Sequence, residues 1–139
     1  MRHDLRIFMA IQVASAILAV VSFRLIEERW QAAMVAGAGF VLVGVWMVLK
    51  TLRWPNRFRM FSFYFARLHL WLFALPMLLV RLKNFGHDFS QVHFLGVPGP
   101  TFHKVAEVVF MLMMVGTFVD LLRVIRAEHR LKTNTPSSK

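Results

Sequence analysis

The fold is decided by residues 7–23, which read IFMAIQVASAILAVVSF and contain no charged side chain. Residues 32–49 read AAMVAGAGFVLVGVWMVL and are also free of charge. Two later apolar stretches contain only a few ionisable residues. Because a helix needs about 17 to 25 apolar residues to cross a bilayer, the sequence predicts an all-α membrane protein with four transmembrane helices. We expect these helices at about residues 7–26, 31–52, 59–82 and 103–127.

The composition also indicates that lipid is the main solvent of this chain. Apolar residues make up 58% of its 139 residues and charged residues 17%, against about 25% charged in an average soluble domain. The net charge of +10 comes from basic residues at the ends of apolar stretches, not from one polar face. We therefore expect contacts with anionic lipid headgroups and none with nucleic acid. The absence of cysteine excludes disulfides, thiolate metal sites and cysteine nucleophiles.

The distribution of basic residues predicts the orientation. Eleven Lys and Arg residues lie in the N-terminal segment, the middle loop and the C-terminal segment, and five lie around the other two loops. Since cytoplasmic segments carry the excess of Lys and Arg, we expect an up-and-down bundle in a bacterial inner membrane, with both termini cytoplasmic. No small-x-small cleavage site ends the apolar stretch just before Arg24, so we interpret this stretch as a retained helix. The transmembrane domain would cover residues 1–132, followed by a disordered tail at 133–139.

The second outer loop, residues 84–103, combines Gly and Pro with several phenylalanines. Irregular backbone exposed to hydrocarbon would leave its polar groups unpaired. We therefore expect this apolar loop to lie in the interface, dip back into the bundle, or dock on a partner.

Small residues four positions apart predict where the first two helices pack. Ala10 and Ala14 lie on one face of the first helix, and Ala33 and Gly37 on one face of the second. Such pairs let helix backbones approach closely in membranes. Ordinary contact within the bundle and self-association are the two interpretations.

Polar residues inside the third and fourth spans form the principal candidate site. Arg67 and Asp120 lie at nearly the same predicted depth, with Gln12 close to that level and His69 deeper. The functional interpretation is a polar pocket in the cytoplasmic half that binds a quinone, a haem or a proton. The structural interpretation is an Arg67–Asp120 ion pair, with Asp120 also bonded to Arg123, or an Arg67 side chain that extends to the headgroups.

The histidines suggest two further candidate sites, one for haem and one for a metal ion. Haem ligated by two histidines needs a second histidine at the depth of His69, which only another subunit would supply. On the outer side, three histidines and a carboxylate are a possible metal set, although their separations match no short metal motif, and interface histidines are the alternative interpretation. This set is His87, Asp88, His93 and His103.

No Gly-rich phosphate loop, paired catalytic carboxylates or Ser/His/Asp arrangement is visible, so an enzyme is not expected. The first hypothesis is a non-catalytic subunit or scaffold of a larger inner-membrane complex, with other membrane subunits or copies of this chain as partners. The second is a membrane redox anchor or small carrier that uses the polar pocket.

Overall fold

The computed structural model describes residues 1–86 and 91–133, except for the side chain of Lys132. It is 85% helical. Within these residues, four helical segments are long and apolar enough to cross a membrane, which confirms the four predicted spans. The spans are Arg2–Leu25, Arg29–Leu52, Phe61–Lys83 and Gly99–Leu131.

The first two helices, α1 (Arg2–Leu25) and α2 (Arg29–Leu52), are joined by a short connection in which Ile26 is extended. α1 begins earlier than predicted, because its first turn includes the charged residues that precede the apolar stretch. Such a turn is compatible with a membrane helix, because long basic side chains can extend from a helix end towards the headgroups. After α2, the left-handed Asn56 leads into a single 3₁₀ turn, Arg57–Arg59.

The third span is not uniform. It consists of α3 (Phe61–His69), a π-helical segment (Leu70–Ala74) and α4 (Leu75–Lys83). Pro76 lies at the start of α4. Its ring would clash with the carbonyl four residues earlier in a regular α-helix, and a π-helical turn is one way to relieve such a clash.

The chain after residue 90 forms a small hairpin and then a long helix. β1 (His93–Phe94) pairs antiparallel with β2 (Val97–Pro98), and Leu95 and Gly96 between them both have positive φ. This is the backbone of a two-residue type I′ turn. The all-α prediction thus needs one correction, since part of the outer loop pairs its backbone groups in a β-ladder.

The last helix, α5, runs over Gly99–Thr133 and is longer at both ends than predicted. The predicted tail beyond Thr133, residues 134–139, lies outside the described residues.

Side-chain contacts bring three parts of the chain together at one end of the molecule. Arg2 pairs with Glu128 of α5 at 3.1 Å, and Trp54 Nε1 donates to Asp4 at 3.0 Å. We call this end, with the start of α1, the 53–60 turn and the last part of α5, the termini end. The other end has the 26–28 connection and the hairpin, and there Phe94 packs on Phe102 with ring centroids 4.5 Å apart. We call it the hairpin end.

The buried face of α1 differs from the prediction. Ala10 and Ala14 are both exposed, so they do not form the contact with α2. Gln12 and Ser15 would be unfavourable in lipid, and α1 therefore turns its polar face inward. The buried residues recur every three or four positions, as one stripe of a helix does. They are Leu5, Phe8, Gln12, Ser15 and Ser22.

On α2, Ala33 is buried and Gly37 is half-buried. A Cβ atom at Gly37 would lie 3.5 Å from Leu78 of α4, so this glycine faces the third span. The close approach of α1 and α2 occurs at Gly39, where a Cβ would lie 3.0 Å from a terminal methyl of Leu18. Ala10 and Ala14 therefore do not make the predicted contact and Gly37 faces α4, whereas the contact predicted for the buried Ala33 stays a prediction.

Candidate functional site

Asp120 caps the start of α3. Its side chain is completely buried, and its Oδ2 accepts a hydrogen bond from the backbone N–H of Ser62 at 2.7 Å and a short one from the Ser62 hydroxyl. The first N–H groups of a helix have no partner within the helix, and they carry its partial positive charge. The Asp120 carboxylate thus supplies, from another helix, the cap that α3 lacks in its own sequence.

Arg123 lies one turn after Asp120, with its Nη1 3.9 Å from Asp120 Oδ1. Its guanidinium also lies over the ring of Phe61, 4.6 Å from the centroid. The Asp120–Arg123 contact agrees with the predicted pairing within the helix. The predicted Arg67–Asp120 ion pair does not form among the described residues.

Arg67 is bonded elsewhere. Its Nη1 donates to Thr51 Oγ1 at 3.1 Å and to the carbonyl of Phe63 at 2.7 Å. Its guanidinium lies 3.5 Å from the centroid of the Phe63 ring. The side chain therefore joins α3 to the end of α2 and folds back on its own helix. Asp120 bonds to Ser62, five residues before Arg67 on α3, so the two residues differ in level by about 8 Å of helix rise and not only in direction around the helix.

Gln12 forms a third contact between helices. Its Nε2 donates to Thr117 Oγ1 at 3.1 Å and approaches the sulfur of Met47 at 3.5 Å. The side chain is fully buried and connects α1 to α5 and α2. Hydroxyl and amide side chains commonly join helices in membranes. Thr117, Thr51 and Ser62 were the missed members of these contacts, and a hydroxyl inside an apolar span was the available signal.

Trp54 anchors the turn between α2 and α3. It is 5% exposed, stacks on Phe8 with ring centroids 5.1 Å apart, and donates its indole N–H to Asp4. Indole N–H groups usually find a partner when the ring is buried. The turn and the start of α1 are therefore held together by both an apolar and a polar contact.

Replacing Trp54 by phenylalanine tests the polar part of this contact. We expect the free energy of unfolding to fall by about 1–2 kcal/mol, because a hydrogen bond to a charged acceptor is lost while ring stacking is kept. Trp71→Phe is the matched control, since Trp71 is 58% exposed on the lipid-facing surface. Reversible unfolding by SDS in mixed micelles measures both. Equal effects of the two substitutions would contradict the assignment.

His69 lies apart from the other three candidates. It is 4% exposed and its ring contacts Phe40 and Phe110, with centroid distances of 6.1 and 5.3 Å. Its Nδ1 is buried without a hydrogen-bond partner among the described residues. The predicted pocket of Gln12, Arg67, His69 and Asp120 is therefore not assembled as one site. Three of its members bond to other helices, and His69 lines a separate cavity.

That cavity has a volume of about 340 Å³ and lies between α1, α2, the third span and α5. Its walls are small and apolar, with Ala16 and Ala19 from α1, Gly37 from α2, and Ala106 from α5. Phe40 and Phe110, whose rings meet edge to face at 5.0 Å, line it beside His69. The cavity exists because these small side chains do not fill the space between the helices. Ala74, at the end of the π-helical segment, also lines the cavity. The cavity belongs to the half of the bundle nearer the hairpin end.

Polar residues mark the outer rim of the cavity. His103 Nε2 lies 3.1 Å from Glu107 Oε1, one turn away on α5, and Arg81 lies beside them on α4. Arg81 and His103 also line a second, more polar cavity of about 650 Å³ at the hairpin end, which includes Glu27 and Arg29. The apolar cavity thus adjoins a charged one.

The predicted metal set is only partly described. His87 and Asp88 lie outside the described residues. His93 is exposed in β1, where its Nδ1 lies 3.2 Å from the carbonyl of Gln91, and His103 pairs with Glu107. Within residues 1–86 and 91–133, no group of three or more histidine, aspartate or glutamate residues has the proximity of metal ligands. The metal site stays a prediction.

Comparison with known proteins gives no relative: no protein-family model, no curated protein and no solved structure matches this chain.

Proposed function

We propose that this chain is a non-catalytic subunit or scaffold of a larger complex in a bacterial-type inner membrane. The observation that supports this proposal is that Gln12, Arg67 and Asp120 each bond to a neighbouring helix. Polar residues inside a membrane are functional candidates by default, and here each of the three joins two helices, although Gln12 Oε1, Arg67 Nη2 and Asp120 Oδ1 have no hydrogen-bond partner among the described residues. Together these contacts fix the helices relative to one another, which is what a supporting subunit requires.

The proposed topology is an up-and-down bundle with the termini end in the cytoplasm. The eleven-to-five distribution of Lys and Arg supports it, because all three basic segments belong to the termini end. The charged 53–60 turn and the end of α5 would then meet the negatively charged lipid surface of the inner leaflet.

The last part of α5 is the proposed partner surface. Residues 121–133 continue past the Asp120 cap for about 20 Å of helix rise. Arg126 and Arg130 are exposed along this segment, as is Ala127. We propose that it contacts other membrane subunits, or a second copy of this chain, and anionic lipid headgroups.

Site-specific photo-crosslinking in native membranes tests the proposed complex. A crosslinker at Ala127 is expected to yield a discrete protein adduct, whereas one at Leu42, which is 70% exposed on the lipid-facing side of α2, is expected to yield none. The paired substitution Arg126→Glu with Arg130→Glu should reduce the Ala127 adduct several-fold. A single-chain particle in mild detergent, without an adduct at Ala127, would contradict the proposal.

The second candidate function is a redox anchor or small carrier. For this function we propose a ligand site in a different part of the bundle from the pocket expected from sequence. Gln12, Arg67 and Asp120 each use one polar group in a contact between helices, and they bond to different helices instead of surrounding one space. Haem would still need a histidine from another subunit in addition to His69. The observation that favours a ligand is the cavity beside His69, in the half nearer the hairpin end.

A further inference from the structure

We propose that the cavity beside His69 binds a membrane-soluble quinone, in its quinone or quinol form, with one ring oxygen hydrogen-bonded to the His69 imidazole. This inference is independent of the proposed complex, because the whole cavity belongs to one chain. Its volume of about 340 Å³ is at the lower end of the range of small-molecule sites. That size suits a single ring system better than a haem macrocycle.

The unpaired imidazole is the first observation that points to a ligand. A neutral histidine has one donor and one acceptor nitrogen, and leaving a buried polar group without a partner is unfavourable. His69 is 4% exposed, its Nδ1 has no partner among the described residues, and the residue lines the cavity. Nδ1 itself has no accessible surface, so a ligand oxygen in the cavity would bond to the other ring nitrogen, Nε2.

The second observation is that the cavity has polar groups at both of its ends. His103 lies on α5 about 10 Å of helix rise from Phe110, the residue that contacts the His69 ring. Its Nε2 is paired with Glu107 and its Nδ1 has no accessible surface, so the polar group available at this end is the Glu107 carboxylate, which also lines the cavity and would accept a hydrogen bond from a quinol hydroxyl. A ring with oxygens on opposite edges, plus a hydrogen bond of about 3 Å at each end, is of comparable length. A para-quinone has this arrangement of oxygens.

The third observation concerns access. Met111 lines the cavity and is 57% exposed on the surface of α5 that faces lipid. One flexible side chain therefore separates the cavity from the lipid-facing surface there, and a quinone with an apolar tail would enter past it. Between the two polar ends the walls are alanine, methionine, leucine and phenylalanine side chains, which suit the ring and the start of its tail.

Binding of decylubiquinone to the purified full-length chain in lipid nanodiscs tests the proposal by titration calorimetry. We expect saturable binding of one molecule per chain. His69→Leu should weaken the affinity roughly tenfold, because one hydrogen bond is lost. Ala106→Phe, which fills the cavity wall, should abolish measurable binding. Decylbenzene, which has a ring and a tail but no oxygens, should bind at least tenfold more weakly than decylubiquinone.

Two matched controls lie on the exposed last part of α5. His129→Leu and Ala127→Phe repeat the two substitutions outside the cavity and should bind decylubiquinone as the unmodified chain does. Thermal unfolding checks each variant, and His69→Gln replaces His69→Leu if the latter does not fold. Equal binding of decylubiquinone and decylbenzene, or unchanged affinity in the Ala106→Phe variant, would overturn the proposal. Failure of this experiment leaves the crosslinking result at Ala127 untouched.

Discussion

Replacing Asp120 by alanine is expected to lower the free energy of unfolding by about 3 kcal/mol. The substitution removes the cap of α3 and leaves both the N–H and the hydroxyl of Ser62 buried without an acceptor. Glu107→Ala is the matched control, because it removes a carboxylate from the same helix whose side chain is 60% exposed and paired with His103. That control should lower the free energy of unfolding by less than about 1 kcal/mol. SDS unfolding in mixed micelles measures both.

A double-mutant cycle decides between the two partners considered for Asp120. Ser62→Ala combined with Asp120→Ala should show a coupling energy of about 1–2 kcal/mol, since the two side chains bond directly. Arg67→Met combined with Asp120→Ala should be additive within about 0.5 kcal/mol, because the two residues have different partners. Strong coupling to Arg67 and none to Ser62 would restore the ion pair expected from sequence and refute the cap.

Replacing Gly116 by leucine is expected to lower the free energy of unfolding by about 3 kcal/mol, because the larger side chain overpacks the α3–α5 contact. A Cβ atom at Gly116 would lie 3.0 Å from Phe61 Cβ and 3.1 Å from the Phe65 ring. Phe61 Cβ is attached to the α3 backbone and cannot move without the helix. Gly116 is one turn before Asp120 on the face towards α3. A larger side chain there would push α3 away and so separate Ser62 from the Asp120 carboxylate. The effects of Gly116→Leu and Asp120→Ala should therefore be less than additive.

Alanine at two glycines provides the matched comparison for this effect. Gly39→Ala meets only a terminal methyl of Leu18, which can rotate away, and alanine is the better helix former. That variant should be neutral or slightly stabilising, whereas Gly116→Ala should be destabilising by about 1 kcal/mol. The same SDS titration compares them. An equal response at both positions would show that the α3–α5 contact is looser than described.

The spans were predictable because the length and hydropathy of a helix are local properties of the sequence. Relative level in the bundle was predicted less well, because the helices begin and end at residues other than those assumed, and Asp120 lies level with Ser62, five residues before Arg67. Rotation about the helix axis was not predictable, because it depends on all the neighbours at once. Together, the errors in level and in rotation explain why Arg67 and Asp120 were assigned to each other instead of to Thr51 and Ser62. The error in rotation also explains why the exposed Ala10 and Ala14 were assigned to a helix contact.

The cavity escaped the sequence analysis for a related reason. It is space left by small residues on three helices, Ala16, Gly37 and Ala106 among them, and no single helix indicates that they face one another. His69 lines this cavity, whereas Gln12, Arg67 and Asp120, with which it was grouped, do not. Pro76 was the overlooked signal, because it lies seven residues after His69 and accounts for the irregular helix beside the cavity.

The π-helical segment has a consequence for how the third span is compared with other chains. A π turn holds one more residue than an α turn, and one residue in an α-helix corresponds to a rotation of about 100°. A helical wheel drawn through the whole of Phe61–Lys83 would therefore assign the inward face correctly in one half and wrongly in the other. Sequence comparison across this span should accordingly allow a one-residue gap between Leu70 and Ala74, with the cap of α3 and the cavity rim at Arg81 aligned independently.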